Sequence, residues 1–304
     1  MILRSLLLFL SEQKQLRKWV ETSRLARPLT SRFIAGRTLE DALAVCTRLH
    51  REGLLASLDR LGESVTSPGE VETSRDGYLE AIGRVAALGL PATFSVKLTL
   101  FGLDISEETC RRNVEPVVRE AKAQGKVVEV DMESSAHVDA TLRLVVDLHQ
   151  AYGNVRGVIQ AYLYRSAEDI AMLCERRIPV RLCKGAYKEP AAIAYPTRRA
   201  VRENFARLMK ILLERGVYPG FATHDEKLIA RAKRLARERG VGAEGFEFQM
   251  LYGARRDLEK QFLAEGYRLR LYVPYGMHWY PYFMRRLAEH PANLLSLLRS
   301  LVKG

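Results

Sequence analysis

The sequence predicts an α/β protein in which a (β/α)8 barrel follows a short helical region. Eight short apolar segments alternate with eight helical segments over about 250 residues. Such alternation implies parallel strands that are joined by right-handed crossovers. The chain has 304 residues, of which 47% are hydrophobic and 28% charged, so it can bury one large core. An open, doubly wound sheet is the alternative that the same alternation allows.

The first 50 residues are predicted to form a helical arm. Thr38, with Asp41 three positions later, is a typical helix start, and Gly36 would separate this helix from an earlier one. The apolar stretch at residues 1–10 is interrupted by Arg4 and is shorter than the roughly 20 residues that span a bilayer. We expect it to pack on the barrel, on another subunit or on a membrane surface.

Residues 51–304 are predicted to form the barrel domain. The predicted strands are 54–58, 93–100, 127–131, 155–163, 180–184, 220–224, 246–251 and 267–273. The predicted helices are 68–88, 107–123, 137–152, 167–177, 198–215, 227–239, 255–265 and 279–289. The last helix, within residues 278–290, is expected to close the barrel.

The segment from Gly240 to Gly245 matches the G-x-G-x-x-G fingerprint of dinucleotide-binding folds. That fingerprint binds pyrophosphate only where it follows a strand and opens a helix. Here it follows a predicted helix and precedes a predicted strand. We therefore interpret it as a loop, and any nucleotide cofactor must be held in another way.

The net charge, the distribution of basic residues and the cysteines indicate which classes of ligand or partner the protein binds. The net charge of +12 would suit nucleic acid, an anionic membrane surface or an anionic ligand. The basic residues are scattered through predicted helices and form no stripe interleaved with aromatic residues, which disfavours nucleic-acid binding. The four cysteines are far apart and form no C-x-x-C motif, so we expect no metal site and reduced thiols in the cytoplasm.

Polar side chains stand where the predicted strands end. Active sites of such barrels form at the C-terminal ends of the strands, whereas the barrel interior favours bulky apolar residues. One polar residue alone has a structural explanation, but their shared position predicts a site. The residues in question are Glu63, Lys97, Asp131, Gln160, Arg181, Lys184, Thr223, His224, Gln249 and Tyr272.

The last predicted helix adds a second polar set. Tyr282, Arg285, Arg286 and Glu289 are spaced so that they share one helix face. A solvated face with an Arg–Glu pair is the simpler explanation. Two adjacent arginines beside a tyrosine also suit bidentate capture of a carboxylate.

The segment 180–187, V-R-L-C-K-G-A-Y, places two cations on a buried strand. Strand alternation puts Arg181 and Lys184 on opposite faces. Either the turn at Gly185 begins early, or the two cations bind different parts of one long ligand.

The chain resembles the proline dehydrogenase family in its short, monofunctional bacterial form. The resemblance covers residues from about 54 to 293 and rests on motifs that occur in the family's order. These motifs are L-G-E (61–63), S-V-K-L-T (95–99), V-D-M-E (130–133), Q-A-Y-L (160–163), R-L-C-K-G-A-Y (181–187), A-T-H (222–224), E-F-Q-M-L-Y-G (247–253), Y-V-P-Y-G (272–276) and Y-F-M-R-R-L-A-E-H-P-A-N (282–293).

The resemblance implies a distorted (β/α)8 TIM barrel that holds FAD without a dinucleotide-binding fold. It implies oxidation of L-proline to Δ1-pyrroline-5-carboxylate by hydride transfer to flavin N5, the first step of proline catabolism to glutamate. Electrons would pass to a quinone. The expected location is the cytoplasm, with peripheral contact at the inner face of the cell membrane and a pyrroline-5-carboxylate dehydrogenase partner left open.

The resemblance also implies roles for individual residues. Arg181, at flavin N5, and Asp131, near the substrate, would be the catalytic pair, and Glu63 would pair with Arg285 as a gate. The side chains expected to bind proline are Lys97, Leu182, Tyr187, Leu251, Tyr272, Tyr282, Arg285 and Arg286. The residues expected to bind FAD are Met132, Gln160, Arg181, Cys183, Lys184, Gly185, Thr197, Thr223, His224 and Glu289.

Two departures from the family pattern limit these expectations. Lys188 and Glu189 stand where many members carry Trp-Asp, which leaves the contacts to the adenosine end of FAD open. Tyr272 stands where a smaller residue would leave room for a ring hydroxyl, which favours proline over hydroxyproline. A barrel that binds an anionic ligand, or nucleic acid through its net charge of +12, without catalysis remains the alternative from a different class, and it predicts salt-sensitive binding with no flavin spectrum.

Overall fold

The structure is a computed structural model that describes residues 27–62 and 65–289. Its strands are β1 (Leu55–Arg60), β2 (Ala92–Val96), β3 (Val128–Val130), β4 (Val155–Gln160), β5 (Val180–Cys183), β6 (Gly220–Ala222), β7 (Glu247–Leu251) and β8 (Leu269–Tyr275). Its α-helices are α1 (Arg27–Phe33), α2 (Leu39–Arg51), α3 (Pro68–Ala87), α4 (Glu107–Ala123), α5 (Val138–Tyr152), α6 (Ser166–Glu175), α7 (Arg198–Arg215), α8 (Glu226–Glu238), α9 (Arg256–Ala264) and α10 (Trp279–Glu289).

The strands form one closed barrel in chain order. Each strand pairs in parallel with its sequence neighbours, and β8 returns to pair with β1. The predicted α/β barrel is therefore confirmed, and the open sheet is wrong. The glycine-rich segment 240–245 lies between α8 and β7, as predicted.

Two predicted strands are too long at their C-terminal ends. The chain leaves β2 after Val96 and forms a 3-10 turn at Leu98–Phe101. Similarly, β4 ends at Gln160 rather than at residue 163. In both cases apolar residues beyond the strand are buried in turns, so hydrophobicity alone extended the prediction.

Local capping explains where the helices begin. At α2 the predicted capping box is present: Thr38 Oγ1 accepts from the Asp41 amide at 3.2 Å, and Asp41 Oδ2 accepts from the Thr38 amide at 3.1 Å. At α3 Ser67 caps the helix and Pro68 occupies its first turn, where proline fits best.

The described part of the N-terminal arm packs on the barrel. The Ala35 amide donates to Pro274 O at 2.9 Å, so the chain before α2 lies against the end of β8. Phe33 and Ile34 then form a buried cluster with Leu61 and with α10. Because Leu61 directly follows β1, this cluster places α10 beside the C-terminal rim of the barrel.

The interior of the barrel is polar, which corrects the expectation of bulky apolar layers. The apolar core lies instead between the strands and the surrounding helices, where Phe94, Val96 and Ile82 are fully buried. The paired, inward-facing residues include Ser57 with Tyr272, Ser95 with Glu129, Glu129 with Arg156, and Gln249 with Arg270.

None of the described helices combines the length and the apolar character that a membrane span needs. All four cysteines are free thiols, and three of them are buried.

Candidate active site

The centre of the polar rim is the contact between Arg181 on β5 and Asp131 just after β3. Arg181 is 4% exposed, and its Nη2 forms an ion pair with Asp131 Oδ1. The same Nη2 donates to Ser95 Oγ at 2.8 Å, and Nη1 donates to Glu129 Oε2 at 3.0 Å. Burial alone would lower the pKa of Arg181, but the two carboxylates outweigh it and raise that pKa. The guanidinium is therefore a permanent, fixed cation.

Asp131 collects donors from three strands. Tyr272 OH donates to its Oδ2 at 2.9 Å, and Ser95 Oγ donates to its Oδ1 at 3.1 Å. Burial raises the pKa of Asp131, although the nearby cations oppose this. The ring of Tyr272 lies under the Arg181 guanidinium, with 5.5 Å between the guanidinium carbon and the ring centroid. The predicted catalytic pair and Tyr272 therefore form one rigid unit.

Lys97, just after β2, lies between two carboxylates. Its Nζ donates to Asp59 Oδ1 at 2.9 Å and is 4.0 Å from Asp131 Oδ2. Burial opposes its charge, but both carboxylates outweigh burial and raise the pKa of Lys97. Asp59 is fully buried, and its Oδ2 has no hydrogen-bond partner within the described residues. An unsatisfied buried carboxylate oxygen costs stability, as is typical of functional sites.

The structure describes only some of the side chains of the predicted carboxylate clamp on α10. Tyr282 is buried, and the Arg286 guanidinium carbon lies 5.3 Å from the centroid of its ring. The side chains of Arg285 and Glu289 lie outside the described residues, as does the predicted gate residue Glu63. Their roles stay predictions.

The two cations of the segment 180–187 lie apart, as strand alternation predicted. Arg181 points into the barrel, whereas Lys184 is 39% exposed on the rim and binds Asp225 Oδ2 at 2.8 Å. Between them and the next helix, Gly185 has φ +102°, and a Cβ there would lie 2.0 Å from the ring of Tyr162. A side chain at position 185 would therefore be both strained and obstructed.

Two basic side chains form ion pairs with Asp225 at the start of α8. Its Oδ2 accepts from Lys184 and from Arg202, each at 2.8 Å, while its Oδ1 caps the helix through the Lys227 amide. Burial would raise the pKa of Asp225, but these hydrogen bonds and charges outweigh it and lower the pKa to about 2.

The other predicted cofactor residues follow the arc from β4 to β6. Gln160 and Thr223 are buried, with Gln160 Nε2 donating to Glu133 O at 2.8 Å. His224 Nε2 accepts from the Leu251 amide at 3.0 Å, so this ring nitrogen has a structural role in the protein. Cys183 faces the barrel interior, and burial raises its pKa to about 11.

The remaining residues that were predicted to bind FAD or proline lie at different distances from the polar rim. Met132 is buried just after Asp131, and Tyr187 is 37% exposed beyond β5. Thr197 lies farther away as the N-cap of α7, where its hydroxyl accepts from the Ala200 amide. None of these positions tests the predicted contact to FAD or substrate.

The two predicted leucines lie on opposite sides of the barrel wall. Leu251 pairs with Tyr272 in the inward-facing set and is partly buried. Leu182 is fully buried and pairs with Ile159 and Phe221 on the face that packs against the helices. Alternation on β5 therefore counts against a contact between the Leu182 side chain and a ligand inside the barrel.

A layer of charges that was not predicted from the sequence lies below the rim. Its members are Asp59, Glu129, Arg156, Glu247 and Arg270, all buried. Their signal was present as polar residues at every second position of strands such as V-E-V-D and R-L-R-L. It was overlooked because barrel interiors were expected to be apolar.

The donor set fits FAD in its chemistry. Arg181 lies inside the barrel on β5 and Lys184 lies on the rim just after this strand, and two cations at different depths suit a ligand with a polar ring at one end and a pyrophosphate toward the other. Gln160 and Thr223 extend the polar arc on the neighbouring strands. At the departure from the family pattern, Glu189 accepts from the Ser135 amide and hydroxyl at 2.7 and 2.6 Å, so this residue joins two rim loops.

Comparisons with known proteins agree with this geometry. The family model described as proline dehydrogenase matches residues 42–297. Proline dehydrogenase 1 of Bacillus subtilis is 42% identical over 99% of this chain and 100% of its own length. Proline dehydrogenase of Deinococcus radiodurans is 41% identical over 91% of each chain. The alternative of a barrel that only binds a ligand is therefore rejected.

Solved structures of longer proteins share the fold. The crystal structure of proline utilization A from Bdellovibrio bacteriovorus, inactivated by N-propargylglycine, is 27% identical with a TM-score of 0.81. It aligns with 87% of this chain, and the chain spans 33% of that protein's length.

Proposed function

We propose, because the chain belongs to the proline dehydrogenase family, that it oxidises L-proline to Δ1-pyrroline-5-carboxylate with FAD as its cofactor. The observation that carries the proposal is the cluster at the rim in which Lys97, Arg181 and Tyr272 surround Asp131. This cluster presents fixed cations and a flat aromatic wall at the C-terminal rim, which is what a small, ring-shaped amino acid requires.

The substrate carboxylate is bound by cations that the fold already holds. Lys97, fixed by Asp59, supplies one charge-assisted donor, and Arg286 supplies a planar fork beside Tyr282. Arg285 completes the predicted clamp. Tyr272 and Tyr282 provide aromatic surface for the pyrrolidine ring. Orientation by these groups accounts for much of the catalysis, because the reacting carbon must meet its acceptor in one geometry.

FAD, when bound, supplies at N5 the acceptor for the hydride that leaves the ring carbon next to nitrogen. Arg181 provides a fixed positive charge for the reacting end of the cofactor. Lys184, Gly185, Gln160 and Thr223 are the residues of the rim that would hold the rest. His224, Cys183, Met132, Thr197 and Glu289 stay predicted contacts of the same kind.

The substrate amine must lose a proton before or during oxidation. Activity should therefore rise with pH until the ammonium group of proline is deprotonated. Asp131 orders the wall around that amine through its bonds to Tyr272 and Arg181. Because Arg181 and Lys97 both keep their charge, the pH dependence should report the substrate rather than these cations.

The wider role follows from the same proposal. The reaction would be the first step of proline catabolism to glutamate, with electrons passed to a quinone and a gate formed by Glu63 and Arg285. We propose a cytoplasmic enzyme with peripheral contact to the inner face of the cell membrane, and a pyrroline-5-carboxylate dehydrogenase as partner. We also propose that residues 1–50 form a helical arm and that residues 51–304 form the catalytic barrel.

Turnover with two related substrates tests the proposed function. Purified protein supplied with FAD should reduce an artificial electron acceptor with proline, and the product should be trapped as the imine. The value of kcat/KM should be higher for proline than for hydroxyproline, because Tyr272 fills the space beside the ring. A protein that stays inert with proline after FAD is added would refute the proposal.

A further inference from the structure

Glu129 lies at the junction between the rim and the charged layer below it. It lies on β3 and precedes Asp131, just after the strand, by two residues, so both carboxylates face the barrel interior. Glu129 is fully buried. Its four donors are Ser57 Oγ at 3.0 Å, Arg156 Nη1 at 2.5 Å, Arg181 Nη1 at 3.0 Å and Gln249 Nε2 at 3.1 Å.

These bonds fix the plane of the Arg181 guanidinium. Its Nη1 bonds Glu129 and Gln249, and its Nη2 bonds Ser95 and Asp131. Asp131 is partly accessible at the rim, whereas Glu129 is 0% exposed. The side of the guanidinium that lies deeper in the barrel is therefore held by Glu129.

Glu129 can hold this position only as an anion. Burial would raise its pKa, but Arg181, Arg156 and Arg270 together outweigh burial and lower it. The carboxylate thus remains charged although it has no access to solvent. Loss of this charge would leave Nη1 of Arg181 with weaker, neutral acceptors in a buried place.

Glu247 on β7 provides an internal comparison. It is also 0% exposed, and it accepts from Arg156 at 2.6 Å, from Arg270 at 2.9 Å and from Gln249 at 2.7 Å. Within the described residues it makes no hydrogen bond to Arg181. The two glutamates therefore share burial, charge and two partners, but only Glu129 contacts Arg181.

From this contrast we infer that Glu129 is a positioning residue, which aims the Arg181 guanidinium at the reacting end of the cofactor. The inference rests on the proposed function for its catalytic meaning, but the coupling between Glu129 and Arg181 is a property of the chain alone. Nothing in the motifs of the sequence marked Glu129 for this role.

The first test measures that coupling in the protein without cofactor. Chemical unfolding is followed for the wild type, Glu129→Gln, Arg181→Met and the double variant. We expect the double variant to be more stable than the sum of the two losses predicts, because each single change removes one partner of the same buried ion pair. Glu247→Gln combined with Arg181→Met should depart much less from the sum of the single losses, because these two residues share Gln249 as a partner but make no direct contact. Additive losses for the Glu129 pair would overturn the inference.

The second test uses the FAD-loaded protein. Sulfite adds to flavin N5, and a cation held there stabilises the adduct. In Glu129→Gln we expect the sulfite dissociation constant to rise and kcat for proline to fall, each about tenfold, while KM for proline changes less than about twofold. In Glu247→Gln both quantities should stay near wild type. Equal effects in the two variants would show that burial of charge, and not aim, is responsible.

A conservative variant keeps the inference testable if Glu129→Gln fails to fold. Glu129→Asp retains the charge but withdraws it by one methylene, so it should weaken sulfite binding in the same direction and by less. Wild-type sulfite binding in Glu129→Asp would contradict the inference. If the wild type itself fails to oxidise proline, the proposed function falls, while the unfolding cycle still decides whether Glu129 positions Arg181.

Discussion

Lys97→Met is the change that separates substrate binding from stability most clearly. Methionine keeps the length and most of the volume of lysine but removes the ammonium group that lies 2.9 Å from Asp59 and 4.0 Å from Asp131. Loss of one charge-assisted hydrogen bond to the proline carboxylate should cost about 1.5–3 kcal/mol of binding. The KM for proline should therefore rise roughly ten- to hundredfold.

The same variant should also lose stability, for a different reason. Asp59 is fully buried, its Oδ2 already lacks a partner within the described residues, and Lys97 is the donor to its Oδ1. Removing one partner of a buried pair costs about 3–5 kcal/mol. Adding Asp59→Asn removes the stranded charge, so the double variant should recover much of this loss.

The assay compares steady-state kinetics, FAD content and urea unfolding for the wild type, Lys97→Met and Lys97→Met/Asp59→Asn. The double variant should be more stable than the single variant and still show the raised KM. FAD content should be close to wild type in both. A double variant that regains a normal KM would refute the reasoning, because the defect would then lie in stability and not in capture of the carboxylate.

Three further predictions test other parts of the site. Arg286→Met should raise KM for proline about tenfold or more with FAD content retained, and a normal KM in steady-state kinetics would remove this arginine from the clamp. Asp225→Asn should destabilise the protein at neutral pH, because Lys184 helps to hold the folded-state pKa of Asp225 at about 2. A carboxyl group whose pKa is lowered by folding stabilises the folded protein at pH values above its unfolded pKa of about 3.9. The difference in urea midpoint from the wild type should therefore shrink between about pH 4 and pH 2. A constant difference would contradict this origin. Gly185→Ala should lower both the thermal unfolding midpoint and the affinity for FAD. The backbone angle φ of +102° costs alanine about 1–3 kcal/mol, and the added Cβ would lie 2.0 Å from the ring of Tyr162. Unchanged values for both quantities would show that the loop adapts.

Much of the barrel could be predicted because its apolar signals are local. The helices around the barrel bury one face, and the strands bury their apolar residues against those helices. Strand alternation indicated that Arg181 and Lys184 do not both point inward, and in the structure Arg181 is buried in the barrel whereas Lys184 lies on the rim. Where strands were predicted too long, as at β2, buried turn residues had the same composition as strand residues.

The depth of the polar residues could not be predicted from one sequence. Alternation tells which residues of a strand face inward, but the stagger between strands sets how far each lies from the rim. Glu129 and Asp131 are two positions apart and face the same side, yet Glu129 is fully buried among arginines whereas Asp131 is partly accessible. Likewise, Asp59 gave no signal that it would be the partner of Lys97, because they lie 38 residues apart on neighbouring strands.

The central claim is that this barrel holds a flavin that proline reduces. Its most direct test is the visible absorption spectrum of the FAD-loaded protein under anaerobic conditions, recorded before and after proline is added. We expect the absorption bands of oxidised flavin to be present at the start and to bleach with proline, and to persist when proline is replaced by an acyclic amino acid. A protein that binds no FAD, or one whose flavin bands stay unchanged with proline, would contradict the account.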